Sequence, residues 1–472
     1  MERSLKWIRR ALAALFAGLT LWMAYWSVIA APRLAAHPGN PRLFQVEARI
    51  ERGGIFARGG EALSVTQRAA TGELRSYAGS RSLAHVVGYS DPRFGKAGLE
   101  AAFNAYLTGA ASRAAGWARW LSVALGRPWS GWDVVTTIDA PLQEAAAQAM
   151  AGRKGALVAM DPRDGAILAM VSEPAFDPGH LDAYLDRATQ TAGAPFFNRA
   201  TQGEYPPGSV FKPVVMAAAL ESGTVSATSL FWDVGSIRIG DRTIRNAGDA
   251  AYGVLALDDA LALSSNAVFA SIAASLSPGS LREFASRLGI GERPPVEIPA
   301  SKGRLPSLAE LADAVVRAEV GIGQGTLLVT PLQMAVVASA VANGGFRVEP
   351  TLLYGLRPPG GKERLAARPA PVRAMTSGTA SVIKEAMVEA ARRGTARGAS
   401  RPLAKPVAGK TGTAENPHGE PHAWFIGFYP ADDPRIAVAV IIENGGYGSA
   451  TAVPIARSLF MAWEETSGSV GR

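Results

Sequence analysis

The chain has 472 residues, 48% of them apolar, which is ample for two or three cored domains and excludes a disordered or fibrous protein. It has no cysteine, so a disulfide framework and thiolate metal sites are excluded and the redox compartment stays open. The formal charge of +8 is scattered, with no compact basic run interleaved with aromatics, so no nucleic-acid role is expected. The positives divide into nine Lys and thirty-nine Arg, so wherever a Lys does appear a compact, titratable amine is the feature to weigh.

Residues 1–10 carry Arg3, Lys6, Arg9 and Arg10, and an uncharged apolar run follows over 11–31 with Trp7, Trp22 and Trp26 near its ends. At about 1.5 Å per residue that run spans a bilayer core of about 30 Å, and it exceeds the roughly 7–15 apolar residues usual in a cleavable leader. A retained single-pass anchor in the cytoplasmic membrane is therefore expected, although Val28-Ile29-Ala30 would serve as a cleavage site. The basic flank keeps residues 1–10 in the cytoplasm and puts the rest outside.

Residues 43–109 mix short β-like pieces with turns such as Arg52-Gly53-Gly54-Ile55 and Arg58-Gly59-Gly60, the pattern of a small irregular domain. Residues 110–131, rich in Ala and Trp, read as a helix and a connector, giving a unit over 43–131. From 132 to 472 the texture is that of a large α+β domain. It opens with a hairpin over Gly155–Ser172 and continues with helical patterns at 210–222, 255–275, 280–288 and 330–343. The last of these starts on Thr330-Pro331-Leu332-Gln333, an N-cap with Pro at the first helical position and a capping-box Gln. Ala423–Tyr429 and Ile436–Glu443 look like adjacent antiparallel strands before a final helix near 453–464.

Three short elements carry chemistry. Ser209-Val210-Phe211-Lys212 follows the chain-breaking Tyr205-Pro206-Pro207-Gly208, so a helix starting there puts hydroxyl and amine on one face. Serine is a weak nucleophile until a base takes its proton, and a desolvated neutral lysine serves as one. Ser264-Ser265-Asn266 places a hydroxyl and an amide two positions apart, one to pass a proton and one to hold a substrate amide. In Lys410-Thr411-Gly412-Thr413 a cation and two hydroxyls flank a glycine that would let a ligand approach the backbone. Each is common by itself, and Ser381-Val382-Ile383-Lys384 is a competing Ser-x-x-Lys. Order separates them: only Ser209 precedes both partner elements, and Ser-x-x-Lys, Ser-x-Asn, Lys-Thr-Gly is the motif series of penicillin-binding proteins and class A β-lactamases.

Along nearly its whole length after the anchor, the chain resembles the class B penicillin-binding proteins, the monofunctional D,D-transpeptidases of elongation and division. Arg52-Gly53-x-Ile55 with Arg58 and Gly60 is similar to the opening of the family's pedestal, with Ala57 where the signature usually has Asp. His85-Val86-Val87-Gly88-Tyr89, Gly98-Leu99-Glu100, Thr137-Ile138-Asp139 with Leu142-Gln143, Thr330–Met334 and Trp424-Phe425 resemble further signatures. The short C-terminus and Pro421-His422-Ala423-Trp424-Phe425 are similar to the short actinobacterial type.

The resemblance implies a penicillin-binding transpeptidase fold, an antiparallel sheet flanked by helices with a helical subdomain, after the anchor and a pedestal. It implies that Ser209 attacks the penultimate D-Ala of stem peptides ending in D-Ala-D-Ala, Lys212 takes its proton, Ser264 relays a proton, and Asn266 holds the donor peptide and orients Lys212. Lys410, Thr411, Gly412 and Thr413 would bind the substrate, and the N–H groups of Ser209 and Thr413 would form an oxyanion hole. β-Lactams would be covalent inhibitors, and neither metal nor organic cofactor is implied. With about a hundred residues between anchor and transpeptidase domain, glycan polymerisation would fall to a partner, a SEDS-type (FtsW/RodA-like) polymerase. A β-lactamase or β-lactam sensor of the same fold, and a non-catalytic activator of a polymerase, are the alternatives. His418 and His422 have a metal-like spacing, but the surrounding Pro417, Gly419 and Pro421 favour a loop pair. Gly321-x-Gly323-x-Gly325 lacks a nucleotide-binding context and reads as a flexible approach to the 330–343 helix.

Overall fold

The structure is a computed structural model that describes residues 2–30, 50–69, 72–78, 81–111, 125, 129–185, 193–417 and 419–469. Helix α1 (Glu2–Ala24) runs on as a π-turn over Tyr25–Ala30. Leu5–Ala30 is long and apolar enough to cross a membrane, and it packs on no other part of the described chain. Most of the helix expected over 110–131 lies outside the described residues; at its end Trp129–Ser130 pair in parallel with Ile50–Glu51.

The pedestal is built on strands β1 (Ile55–Phe56), β2 (Ala62–Ala69), β3 (Gly72–Tyr77) and β4 (Asp133–Thr136). They belong to a six-stranded sheet ordered Arg364–Leu365, Leu353–Arg357, β4, β1, β2, β3, in which β4 runs parallel to β1 and antiparallel to Leu353–Arg357. The turn at Ala57 closes on backbone groups, Ala57 N–H to Glu61 O (2.8 Å) and Gly60 N–H to Ala57 O (3.0 Å), so it does not depend on an acidic side chain there. Arg52 and Glu100 meet across the pedestal. Arg52 Nε donates to Glu100 Oε2 (2.8 Å), Arg75 Nε to Oε1 (2.7 Å) and Ser64 Oγ to Oε1 (2.9 Å). Burial alone would push the Glu100 carboxyl up, but the two guanidinium groups outweigh it and hold it below the ordinary carboxylate range.

Helix α2 (Ala140–Met150) leads into the central antiparallel sheet, whose hairpin strands are β5 (Gly155–Met160) and β6 (Ile167–Glu173). Helix α3 (Lys212–Glu221) follows, then two ribbons of two strands each. One pairs β7 (Leu230–Asp233) with β10 (Gly253–Ala256), and the other pairs β8 (Ser236–Ile239) with β9 (Arg242–Arg245). The pattern expected as one helix over 255–275 is two, α4 (Leu257–Ala262) and α5 (Asn266–Ser275), because Ser264 adopts φ 62° and breaks the ladder between them. The pattern at 280–288 is a helix over Pro278–Arg287. Helix α6 (Pro331–Ala342) has the expected capping box, with Thr330 and Gln333 each accepting the other's backbone N–H. Strands β11 (Ala408–Ala414), β12 (His422–Tyr429) and β13 (Ile436–Ile442) complete the central sheet in the order β6-β5-β13-β12-β11. The last helix, α7 (Gly448–Ser469), is longer than its sequence pattern.

The central sheet is buried on both faces, which is why its strands read as near-continuous apolar runs. Alternate residues of β5 enter different cores: Ala156, Val158 and Met160 pack with α6, whereas Leu157 and Ala159 pack with α2 and α7. The sheet thereby holds its edge strand β11 rigidly beside the start of α3, where the motif residues meet.

Candidate active site

The turn before Ser209 is clamped from three sides. Trp424 Nε1 donates to Pro206 O (3.0 Å), Tyr205 hydroxyl donates to Glu443 (2.8 Å), and Gly208 N–H donates to Gly323 O (2.8 Å). Gly208 has φ 56°, and a Cβ on Gly323 would meet Gly208 O at 2.0 Å, so side chains are excluded where these two backbones touch. Gly323 is thus a packing position against the turn, while Gly321 lies against Phe269 and Ala273, so the segment is packed rather than a flexible approach. Gly412 acts similarly from β11. Its Cβ would lie 2.9 Å from Pro207 O, so the missing side chain lets β11 approach the turn before Ser209. The Thr413 backbone lies against Gly208, next to Ser209. Ser209 itself stands in a single 3₁₀ turn, Gly208–Phe211, that runs into α3, half-buried and facing a cleft of about 790 Å³.

Lys212 and Lys410 are both fully buried, and both reach Ser264. Lys212 Nζ donates to Ser264 O (2.7 Å) and Asn266 Oδ1 (2.8 Å) and lies 3.2 Å from Ser264 Oγ. Lys410 Nζ donates to Ser264 Oγ (2.8 Å) and Thr411 O (2.9 Å). Burial, and then repulsion from Lys410, lower the Lys212 amine well below the ordinary lysine range, while Asp233 opposes them. Burial lowers Lys410 to about 7. A neutral amine has two N–H bonds and one lone pair. With both N–H bonds of Lys212 occupied by Ser264 O and Asn266 Oδ1, the Ser264 hydroxyl at 3.2 Å faces the lone pair, which can accept a proton. Among the described residues Ser209 Oγ has no hydrogen-bond partner.

The sequence matches the family described as "Penicillin binding protein transpeptidase domain" over residues 155–461 and the "Penicillin binding protein A dimerisation domain" over 52–134. The chain belongs to the penicillin-binding transpeptidases. Among its relatives, "Peptidoglycan D,D-transpeptidase PbpA" of Mycolicibacterium smegmatis is 34% identical over 98% of this chain and 99% of that one. "Peptidoglycan D,D-transpeptidase MrdA" of Acinetobacter baumannii is 32% identical over 72% of this chain and 55% of that one. The ceftriaxone acyl-enzyme complex of penicillin-binding protein A from Mycobacterium tuberculosis superposes with a TM-score of 0.82 at 31% identity, covering 88% of this chain and 99% of that one. The α+β transpeptidase fold expected from sequence is therefore the fold observed.

Within this family frame, the structure brings Ser209, Ser264, Asn266, Thr411 and Thr413 to one cleft, with the Lys212 and Lys410 amines on Ser264 beneath it. Thr411 Oγ1 donates to Thr395 Oγ1 (2.7 Å). Ser381 lies on the separate helix Ser377–Arg392, where its hydroxyl donates to Glu385 (3.0 Å). His418 is outside the described residues, and His422 Nδ1 accepts the Asn444 N–H (3.1 Å). Among the described residues there is no cluster of three or more potential metal ligands. Sequence reasoning missed Asp233, Asn246 and Tyr205. Asp233 and Asn246 belong to no motif, and only the fold reveals that they are buried under the 264–266 loop.

Proposed function

We propose that Ser209 is the acylated nucleophile of a peptidoglycan D,D-transpeptidase. The observation that carries this reading is the fully buried Lys212 amine, lowered in pKa, tied to Ser264 and Asn266, and set beneath the cleft that Ser209 lines. As Ser209 Oγ bonds to the carbonyl carbon of the penultimate D-Ala, Lys212 takes the hydroxyl proton. The backbone N–H groups of Ser209 and Thr413 hold the developing oxyanion, each contributing about 3 kcal/mol. When the C–N bond breaks, Ser264, held between the two amines, passes a proton to the departing D-Ala. An acceptor amine from a second stem peptide then attacks the ester and restores the Ser209 hydroxyl. Lys410, Thr411 and Thr413 receive the substrate carboxylate, Gly412 lets β11 close on the turn, and Asn266 holds the donor peptide. β-Lactams enter the same cycle, and their acyl group stays on Ser209.

A membrane anchor over 11–31, with residues 1–10 in the cytoplasm and the catalytic domain outside, agrees with the basic flank and the apolar helix. A SEDS-type glycan polymerase as partner of anchor and pedestal would supply the strands to be cross-linked. Co-purification from membranes tests this, and recovery that survives deletion of the pedestal overturns that interface.

Fluorescent-penicillin labelling with peptide mapping tests the nucleophile. The label is expected on Ser209 and absent from Ser209→Ala, and a label on Ser381 overturns the assignment. Pulse labelling and chase separate the enzyme classes. The carboxylates lining the cleft, Asp249, Glu319, Glu415 and Glu420, have no hydrogen bond to Ser209, Lys212 or Ser264. With none of these carboxylates bonded to the three groups among the described residues, the ester should persist for many minutes. Turnover in seconds would indicate a β-lactamase, and no labelling at all a non-catalytic activator.

A further inference from the structure

Asp233 ends β7 with its carboxylate buried, 1% exposed, and among the described residues no Arg or Lys forms an ion pair with it. Four neutral donor contacts serve it instead: Gly235 N–H (2.7 Å), Asn246 Nδ2 to both oxygens (2.9 Å each) and Ser265 Oγ (2.6 Å). These contacts fix the orientation of both partners. Because Asn246 Nδ2 faces Asp233 and Ala250 O, its Oδ1 must face the start of α5, where it accepts the N–H groups of Asn266 (2.8 Å) and Ala267 (3.0 Å). Ser265 Oγ, donating to Asp233, accepts the Val268 N–H (3.1 Å) and caps α5.

The consequence for the site is direct. Ser264, in a left-handed conformation that a serine rarely adopts, presents its carbonyl and hydroxyl to the lysines only because Ser265 and Asn266 on its far side are locked. Asn266, at the first turn of α5, has its own amide fixed between Arg245 O (2.9 Å) and Lys212 (2.8 Å). We infer that Asp233 is a positioning residue of the acylation step, which through Asn246 and Ser265 holds the 264–266 loop against Lys212 and places a buried negative charge behind that loop. This inference rests on Ser209 being the acylated residue. The charged groups facing Lys212 are Lys410 from β11 and Asp233 from β7, and α5 adds the Phe269 ring, 5.5 Å from the amine. Tyr252, beside Asp233, is raised by burial and then by that same carboxylate, so it stays a neutral phenol.

The test measures second-order acylation of the full chain by fluorescent penicillin from pH 5 to 10, for wild type, Asp233→Asn and Ser265→Ala. Asp233→Asn removes the charge that favours the Lys212 ammonium and opposes an amide N–H₂ to Asn246. Its acylation should fall at least 10-fold at pH 8, and the acid limb of its profile should move to lower pH. Ser265→Ala keeps the charge but loosens the loop. It should slow acylation about 10-fold with the limb unmoved, which answers the case in which Asp233→Asn does not fold. A wild-type rate in Ser265→Ala, or a folded Asp233→Asn with the wild-type limb, overturns the inference. Failure of wild type itself to label at Ser209 would instead overturn the nucleophile assignment.

Discussion

Pedestal and cleft each bury two cations near one carboxylate, and they settle the electrostatic conflict in opposite ways. In the pedestal Arg52 and Arg75 grip Glu100 directly, at 2.7 Å each, and all three groups stay charged. In the cleft Lys212 and Lys410 share a serine hydroxyl, and the carboxylate of Asp233 is committed to neutral donors, so the amines yield by losing affinity for protons. Guanidinium does not deprotonate in proteins, and its planar fork fits a carboxylate; ammonium is a point charge whose pKa follows its surroundings. Arginine therefore builds the fixed joint, and lysine stands where the cation can give up its proton. In a chain with so few lysines, two of the nine occupy that one place.

Exchanging cation types would test the contrast most severely. Lys212→Arg should lower the penicillin acylation of the folded chain by about three to four orders of magnitude, because the guanidinium stays protonated, and burying that charge should lower the melting temperature as well. Acylation within a few-fold of wild type would rule out Lys212 as the base. In the pedestal, Glu100→Gln leaves two guanidinium groups without their counter-charge and should cost about 3 kcal/mol of stability by chemical denaturation. Full stability in that variant would mean that water already neutralises the arginines. The smallest effect concerns pH. Lys410 titrates near 7 in the folded chain and near 10.4 when unfolded, so between those values the unfolded chain holds a proton that the folded one lacks. Wild type should therefore gain stability relative to Lys410→Met as pH rises from 7 to 9, by up to about 1.4 kcal/mol per unit, with the burial cost fully present below 7. A gap independent of pH would mean that the buried amine keeps its ordinary affinity.

What the sequence disclosed was what is local. The three-residue step from Ser209 to Lys212, the capping box at Thr330 and Gln333, and the apolar runs of β5, β12 and β13 are each contained within one turn or one strand. The helical pattern over 255–275 runs through the break at Ser264 because the apolar periodicity continues from Leu257 to Ile272, while the loop is held by contacts from Asp233 and Asn246. Gly412 and Gly323 were visible as glycines, but what their missing side chains accommodate, the Pro207 and Gly208 backbones, lies more than a hundred residues away. Asp233 had no signal at all: it is an acidic residue in a Trp-Asp-Val-Gly turn, with nothing nearby in sequence to indicate burial.

The sheet shared by pedestal and catalytic region also sets an order of assembly. Strand β4 has its neighbour β1 by the time residue 136 is made, but its other neighbour, Leu353–Arg357, follows 217 residues (353 − 136) later. At roughly 5–20 residues per second that is an interval on the order of 10–40 s, during which the half-made sheet has an unpaired edge. Pairing partners that are so far apart in the chain make closure slow. The pedestal, made before the catalytic region, is thus among the last parts to be finished, and a truncation before residue 353 would leave behind a sticky strand edge rather than a smaller folded protein.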